Sequence, residues 1–342
     1  MIRSVKQFGC AILTLLLPCF VVFFLLCTVG IEESAFARTS FQQSLPQSTQ
    51  PPAKPASGRI VRFEQFSSRF VMPRNIDVWL PQTYDSLVKD SAQKFAVLYM
   101  HDGQMLFDST NTWNKQEWGV DETMTALLQQ GAIKNCIVVG IWNTGKTRHS
   151  EYFPKKVFYR LPKKMQDSLL QSALQNKVQS DAYLKFLTQE LKPFIDSAFR
   201  TNSNRESTFI AGSSMGGLIS LYALCEYPQI FGGAACLSTH WIGNIGWNNG
   251  VIPRMIAKYL LEKLPTQRQK SIKTHTIYFD YGTKTLDSLY KPHQIVVDKI
   301  MTKKNYSASS WMTKEFAGED HSERAWAKRL YLPLQFLLGM KE

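Results

Sequence analysis

Ser207-Thr208-Phe209-Ile210-Ala211 runs directly into Gly212-Ser213-Ser214-Met215-Gly216-Gly217 and on into Leu218-Ile219-Ser220-Leu221-Tyr222-Ala223-Leu224. An apolar run, a glycine-serine turn and a second, helix-like apolar run read as strand, tight turn and helix with a serine at the tip. This is the G-x-S-x-G pattern of a nucleophile elbow. Glycines two before and two after Ser214 remove the β-carbons that would clash in so sharp a turn. Ser213 cannot take the role, because its flanking positions are Ala211 and Met215. Glycine-serine turns are also common loop material, so the reading depends on whether partners follow in the right order.

A serine hydroxyl needs a base, usually histidine, held by a carboxylate. In α/β-hydrolases the chain order is Ser, then Asp or Glu, then His, each on a loop after a late strand. The run 274–279 reads as a strand ending in Asp280-Tyr281-Gly282, followed by a loop containing Asp287. A further strand-like stretch, 310–316, runs into Ala317-Gly318-Glu319-Asp320-His321, and a helix-like segment covers 323–338. His321 therefore stands where the base belongs. Asp287 is the expected acid, inside the loop where a carboxylate can swing toward an imidazole. Asp280, at the strand end, is the alternative, and its other reading is a turn-stabilising aspartate. His275 falls in a strand run, and His293 and His149 fall in polar segments that look solvated. His101 and His240 end strands where they can line a pocket, but they come too early in the chain to serve as the base.

The oxyanion needs two backbone donors, one after the nucleophile and one from the loop after the third strand. Met215 supplies the first. The apolar strand 95–100 ends in His101-Asp102-Gly103-Gln104, and Gly103 lets the chain turn so that the Gln104 N–H faces the substrate carbonyl.

Tyr99-Met100-His101-Asp102-Gly103-Gln104, the elbow, Phe279-Asp280-Tyr281-Gly282-Thr283 and Gly318-Glu319-Asp320-His321 together resemble an esterase family of α/β-hydrolases. That family includes feruloyl and acetylxylan esterases, enterochelin esterases, S-formylglutathione hydrolases and mycolyltransferases. The resemblance extends from about Arg59 onward, through the opening Arg74-Asn75-Ile76-Asp77-Val78-Trp79-Leu80-Pro81, and the wording is most similar to the enterochelin-esterase-like branch. It implies ester chemistry without a cofactor or metal, with Ser214 as nucleophile, His321 as base, and Gln104 and Met215 at the oxyanion hole. It also implies that Asp102 lies near the substrate and that Trp142 and Asn143 fall among pocket residues. Many members place the acid sooner after the glycine than Asp287 stands, and some work with a Ser–His pair alone.

Arg3 and Lys6 precede an apolar run over 10–30, and Ala35-Phe36-Ala37 offers an A-x-A cleavage site. Residues 1–37 are expected to be a secretory signal, with an uncleaved membrane tether as the alternative because the run is close to bilayer-spanning length. Residues 38–58, rich in Gln, Ser, Pro and Thr, are expected to be a disordered linker. Residues 59–342 are expected to form one domain of α/β-hydrolase fold, with a central, mostly parallel sheet and helices on both faces. The protein is thus expected to be exported, periplasmic or extracellular. Cys136, Cys225 and Cys236 lie in apolar runs, as buried free thiols do, and no Cys/His spacing suggests zinc.

Strand-like runs occur at 97–100, 137–141, 208–211, 233–237 and 276–279, and Leu184, Leu187, Leu191, Phe194 and Ala198 recur at helical spacing over 181–197. The basic, polar stretch 149–180 reads as an excursion over the site mouth, with 243–273 as a second candidate. The formal net charge is +13, but the basic residues are scattered and no reader motif occurs, which excludes nucleic acid as the partner. Trp142 and Trp241 follow strand ends on the catalytic side, and Trp113 and Trp118 follow the oxyanion loop. Aromatic faces suit sugars and aryl groups, so the expected partner is a small-molecule or glycan-linked ester: siderophore, carbohydrate-linked or aryl. An acyltransferase would share every residue. A non-catalytic binding protein on the same scaffold would require none of the serine, histidine and acid.

Overall fold

Apolar runs with no alternation are the signature of strands buried on both faces, as in parallel sheets. In the computed structural model, which describes residues 53–86, 93–244, 246, 250–267 and 275–340, such runs form the middle of one sheet. These are β3 (Ala96–His101), β4 (Cys136–Ile141), β5 (Thr208–Ser213), β6 (Gly233–Leu237) and β7 (Thr276–Gly282), and every residue in them is buried. β8 (Trp311–Phe316) closes one edge, and β1 (Arg59–Phe66) and β2 (Arg74–Leu80) the other. The spatial order is β1-β2-β4-β3-β5-β6-β7-β8. β1/β2 and β2/β4 pair antiparallel, and the remaining neighbours pair parallel.

Alternate residues of each strand feed two cores. Val97 and Tyr99 join Ile219, Leu221, Tyr152 and Leu184 on one face, while Leu98 and Met100 join Met124, Leu127, Trp326 and Leu334 on the other. The sheet is therefore covered on both faces. From β3 the chain moves outward to β4 and then returns past β3 to β5, so the connections reverse direction between β3 and β5. At such a reversal the loops beyond the strand ends part and leave a crevice.

Two expected helices are interrupted, each ahead of a proline. Residues 181–197 form Ser180–Lys185, a wider π segment Phe186–Leu191, and Lys192–Ala198. Pro193 has no N–H for the carbonyl four residues back and its ring crowds that carbonyl, which favours the wider turn. Residues 323–338 form Glu323–Arg329 and Tyr331–Leu338 for the same reason, at Pro333.

The stretch 149–180 is not a loose polar excursion. It folds into Arg148–Tyr152, Lys155–Phe158 and Lys163–Ser172, which plant Tyr152, Phe153, Val157, Phe158, Met165 and Leu169 in the core. Its charges occupy the outer helical faces, and Glu151 takes Arg74 of β2 in a buried pair through two bonds of 2.7 and 2.8 Å. The expected signal, residues 1–37, and residues 38–52 of the expected linker lie outside the described residues. The end of that linker is tied to the domain. Lys54 N–H donates to Asp108 at 3.0 Å, Ser57 N–H to Asp121 at 3.2 Å, and Trp79 Nε1 to the Ser57 carbonyl at 2.7 Å. Cys136, Cys225 and Cys236 are buried free thiols. No helix among the described residues is long and apolar enough to cross a membrane.

Candidate active site

Ser214 stands between β5 and the buried helix Met215–Glu226 with φ 56 and ψ −122. Such a backbone is strained for a residue with a β-carbon, and it persists only where the surroundings enforce it. They do so here from both sides. The Ser214 N–H donates to the Leu237 carbonyl at 2.9 Å, and the Ser214 carbonyl accepts from His240 N–H at 3.1 Å. A β-carbon at Gly212 would come within 2.8 Å of the Gly216 carbonyl carbon, so only glycine fits that side of the turn.

His321 and Asp287 meet. His321 Nδ1 lies 2.6 Å from Asp287 Oδ1, with the acid fully buried and the imidazole 15% exposed. The loops carrying them are sewn together: His321 N–H donates to Thr285 Oγ1 at 2.9 Å, and Thr283 and Lys284 N–H both donate to the Glu319 carbonyl at 3.0 Å. The second oxygen of Asp287 accepts from Ser238 Oγ at 2.6 Å and from Gly282 N–H at 2.5 Å. Ser238, itself at φ 42, accepts in turn from Trp326 Nε1 at 2.9 Å and Arg329 Nη2 at 3.0 Å. The imidazole is wedged edge-to-face between Trp326, at 5.0 Å between ring centroids, and Tyr290, at 5.9 Å.

Asp280 is elsewhere engaged. It takes Arg329 through Nε at 3.1 Å and Nη2 at 3.0 Å, deep below the site. Burial raises its pKa, and the Arg329 guanidinium opposes that rise. Of the two candidate acids, Asp287 is the one paired with His321.

Asp102 leads into the turn Gly103–Met105 with φ 58. Arg148 grips the Asp102 carboxylate at 2.8 and 2.7 Å, and Asn143 Nδ2 adds a bond at 2.8 Å. Burial works against the Asp102 charge, but Arg148 and Asn143 outweigh it and hold the pKa below the usual range. Asn143 N–H also donates to Gln104 Oε1 at 3.2 Å, locking the loop that carries the Gln104 N–H. Asp102 borders the elbow: a β-carbon at Gly216 would stand 3.4 Å from its Oδ2. Gln104, Asn143 and Asp102 thus form one cluster beside Met215.

The two tryptophans expected to line the substrate pocket are placed differently. The Trp142 indole donates to Asp77 Oδ2 at 2.8 Å, with Arg62 over its ring at 4.7 Å, so it braces the β2 edge. Trp241 is 1% exposed, donates to Gln294 Oε1 at 3.1 Å, and lines a cavity of about 240 Å³ with Pro253, Ile256 and Val297. A residue just past a strand end can turn inward, and nothing in the sequence distinguishes the two directions. Trp113, by contrast, is 83% exposed, and its loop is tied to the His321 side by Asn114 Nδ2 to Glu323 Oε2 at 2.7 Å. His149, expected in solvent, is half-buried against Gly243 O at 3.1 Å. Ser238, Trp326, Arg329 and Arg148 carried no motif. They enter the site through contacts between residues far apart in the chain.

With this geometry in hand, a family described as Putative esterase matches residues 67–336. The chain belongs to that family. A Bacillus subtilis relative, the uncharacterized protein YjcH, is 23% identical over 234 residues, 68% of this chain and 76% of that protein. A ferulic acid esterase from Anaeromyces mucronatus, solved with ferulic acid, superposes with TM-score 0.55 at 19% identity, over 84% of this esterase and 93% of the other chain. An enterobactin esterase from Shigella flexneri gives TM-score 0.54 at 17% identity, over 84% of this chain and 60% of that one. These superpositions establish the α/β-hydrolase fold, and family membership supports ester hydrolysis as the chemistry.

Proposed function

We propose that this esterase is an exported serine hydrolase in which Ser214 attacks the ester carbonyl, His321 takes the serine proton, and Asp287 holds the imidazole. The observation that carries the reading is the 2.6 Å pairing of His321 Nδ1 with a buried Asp287, beside a serine strained at φ 56. The Asp287 carboxylate fixes the proton on Nδ1, which leaves Nε2 free to accept the serine proton. The N–H groups of Gln104 and Met215 receive the oxyanion, and losing one such donor costs about 2.7–4 kcal/mol of transition-state stabilisation. Collapse expels the alcohol, protonated by His321, and leaves the acyl group on Ser214. Water, deprotonated by His321, then releases the acid.

Asp102 serves by shape and not as a free charge, since Arg148 neutralises it. The Asp102–Arg148–Asn143 cluster keeps the oxyanion loop closed on the elbow. An aryl or carbohydrate-linked ester fits the exposed Trp113 platform next to the His321 loop, and the fold neighbours include a ferulic acid esterase and an enterobactin esterase. Export rests on the apolar run and the A-x-A site within residues 1–37. The test is acid release from a panel of methyl ferulate, acetylated xylo-oligosaccharide and a catecholate trilactone. Hydrolysis of an aryl or sugar ester that disappears in His321→Ala is expected, and inertness toward every ester would overturn the proposal.

A further inference from the structure

The short segment 237–240, which begins with the last residue of β6, holds both halves of the site. The Leu237 carbonyl accepts the Ser214 N–H at 2.9 Å, and the His240 N–H donates to the Ser214 carbonyl at 3.1 Å. Between them, Ser238 donates its backbone N–H to the Asp280 carbonyl at 2.9 Å and its side-chain hydroxyl to Asp287 at 2.6 Å. The segment is thus anchored to the elbow by its backbone and to the acid by one hydroxyl.

Ser238 is fully buried and stands at φ 42, a left-handed backbone that glycine adopts freely and that is costly for a residue with a β-carbon. Shape alone would favour glycine, so the hydroxyl is what calls for serine here. The hydroxyl proton has one destination. The Trp326 indole N–H and the Arg329 guanidinium are donors only, and they reach Ser238 Oγ at 2.9 and 3.0 Å. They take both lone pairs of the hydroxyl, and its hydrogen goes to Asp287 Oδ2. Arg329 Nη2 itself stays 3.9 Å from that oxygen, and its short bonds go to Ser238 and Asp280. Ser238 therefore passes the pull of a buried cation to Asp287 as an oriented hydrogen bond. With the Gly282 N–H on the same carboxylate oxygen, Asp287 Oδ1 is left aimed at His321 Nδ1.

We propose that Ser238 is a positioning residue for ester hydrolysis, which fixes the Asp287 carboxylate to the turn that holds the Ser214 backbone. The proposal rests on the reading of Asp287 as the acid of the site. Two donors on one oxygen keep the carboxylate from rotating away from the imidazole. Without the hydroxyl, the Gly282 N–H alone remains of that pair, and the productive geometry is met for a smaller part of the time. Ser238 is buried away from any substrate, so its loss acts on kcat and leaves KM nearly alone.

The experiment is a double-mutant cycle on the purified protein. It measures kcat and KM for 4-nitrophenyl acetate in the wild type, Ser238→Gly, Asp287→Ala and the double variant. Glycine accepts φ 42, so Ser238→Gly removes the hydroxyl without backbone strain. It is expected to lower kcat about tenfold, the worth of one hydrogen bond to a charged group, with KM nearly unchanged. In the Asp287→Ala background the same substitution should cost nothing further in kcat, because the group it positions is gone. A hydroxyl that served only the packing of Trp326 and Arg329 would cost the same fold in both backgrounds. Should Ser238→Gly not fold, Ser238→Ala runs the same cycle. Wild-type kcat in the single variant, or equal losses in both backgrounds, overturns the role of Ser238. An Asp287→Ala variant with wild-type kcat overturns the acid reading and this proposal with it.

Discussion

Asp280 and Asp287 are both buried, both follow the same apolar run and both stand near Ser238, yet their partners divide them. Asp287 presents one oxygen to His321 and the other to Ser238 and Gly282. Asp280 spends both oxygens on Arg329. The consequences of removing each charge differ in kind. Asp287→Asn is expected to lower turnover by about four orders of magnitude, because an amide favours the wrong imidazole tautomer. Asp280→Asn leaves the buried Arg329 charge with only the Asp287 carboxylate, 3.9 Å away, as counter-ion. It is expected to cost about 3–5 kcal/mol of stability while the folded fraction keeps its His321–Asp287 pair. Paired kinetics and denaturant unfolding of the two variants check this, and the reverse pattern would move the acid to Asp280. The sequence left both aspartates open because Ser238, Trp326 and Arg329 decide between them, and all three lie far away along the chain.

The elements were legible to different degrees, for physical reasons. β3 to β7 announce themselves because strands buried on both faces have no polar alternation. β1 and β2 carry no such run: Arg62 and Asp77 interrupt them, and these charges are accommodated by pairing with each other at 2.7 Å. The helix interruptions at Pro193 and Pro333 follow from missing N–H groups that the periodicity of Leu184, Leu187 and Leu191 conceals. The elbow and the Gly103–Met105 turn were legible because backbone geometry demands glycine at fixed offsets. Gly103 is the sharpest case, since a β-carbon there would come within 2.5 Å of the Gly140 carbonyl carbon in β4. Gly103→Ala is therefore expected to push the Gln104 turn away from β4, lowering kcat by about a hundredfold, comparable with loss of an oxyanion donor. It should also lower the unfolding midpoint. Unchanged kcat would mean that the Gln104 N–H is not part of the hole.

At the scale of the molecule, the site lies where the sheet's connections reverse, so loops after β3, β5, β6, β7 and β8 converge on Ser214. That convergence buries histidines that must stay neutral. His101, whose Nδ1 lies 2.8 Å from the Tyr183 hydroxyl, has its pKa lowered to about 3, chiefly by burial and against the pull of Asp102. His240 is lowered to about 3 as well, from an ordinary 6.5. Below pH 6.5 the unfolded chain binds protons that the folded chain refuses, so stability falls as pH drops from 6.5 toward 3. The slope is on the order of 1.4 kcal/mol per pH unit for each histidine. Denaturant unfolding between neutral and acid pH should show this decline, with a shallower slope in His101→Gln. An identical slope in that variant would contradict the assignment.

Ester hydrolysis by this site depends first on Ser214 being an activated nucleophile. The most direct test is intact-mass analysis after fluorophosphonate treatment of the folded wild type and of Ser214→Ala. A single adduct is expected on the wild type and none on the variant. An adduct that survives in Ser214→Ala, or a folded wild type that takes no adduct at all, would contradict that role.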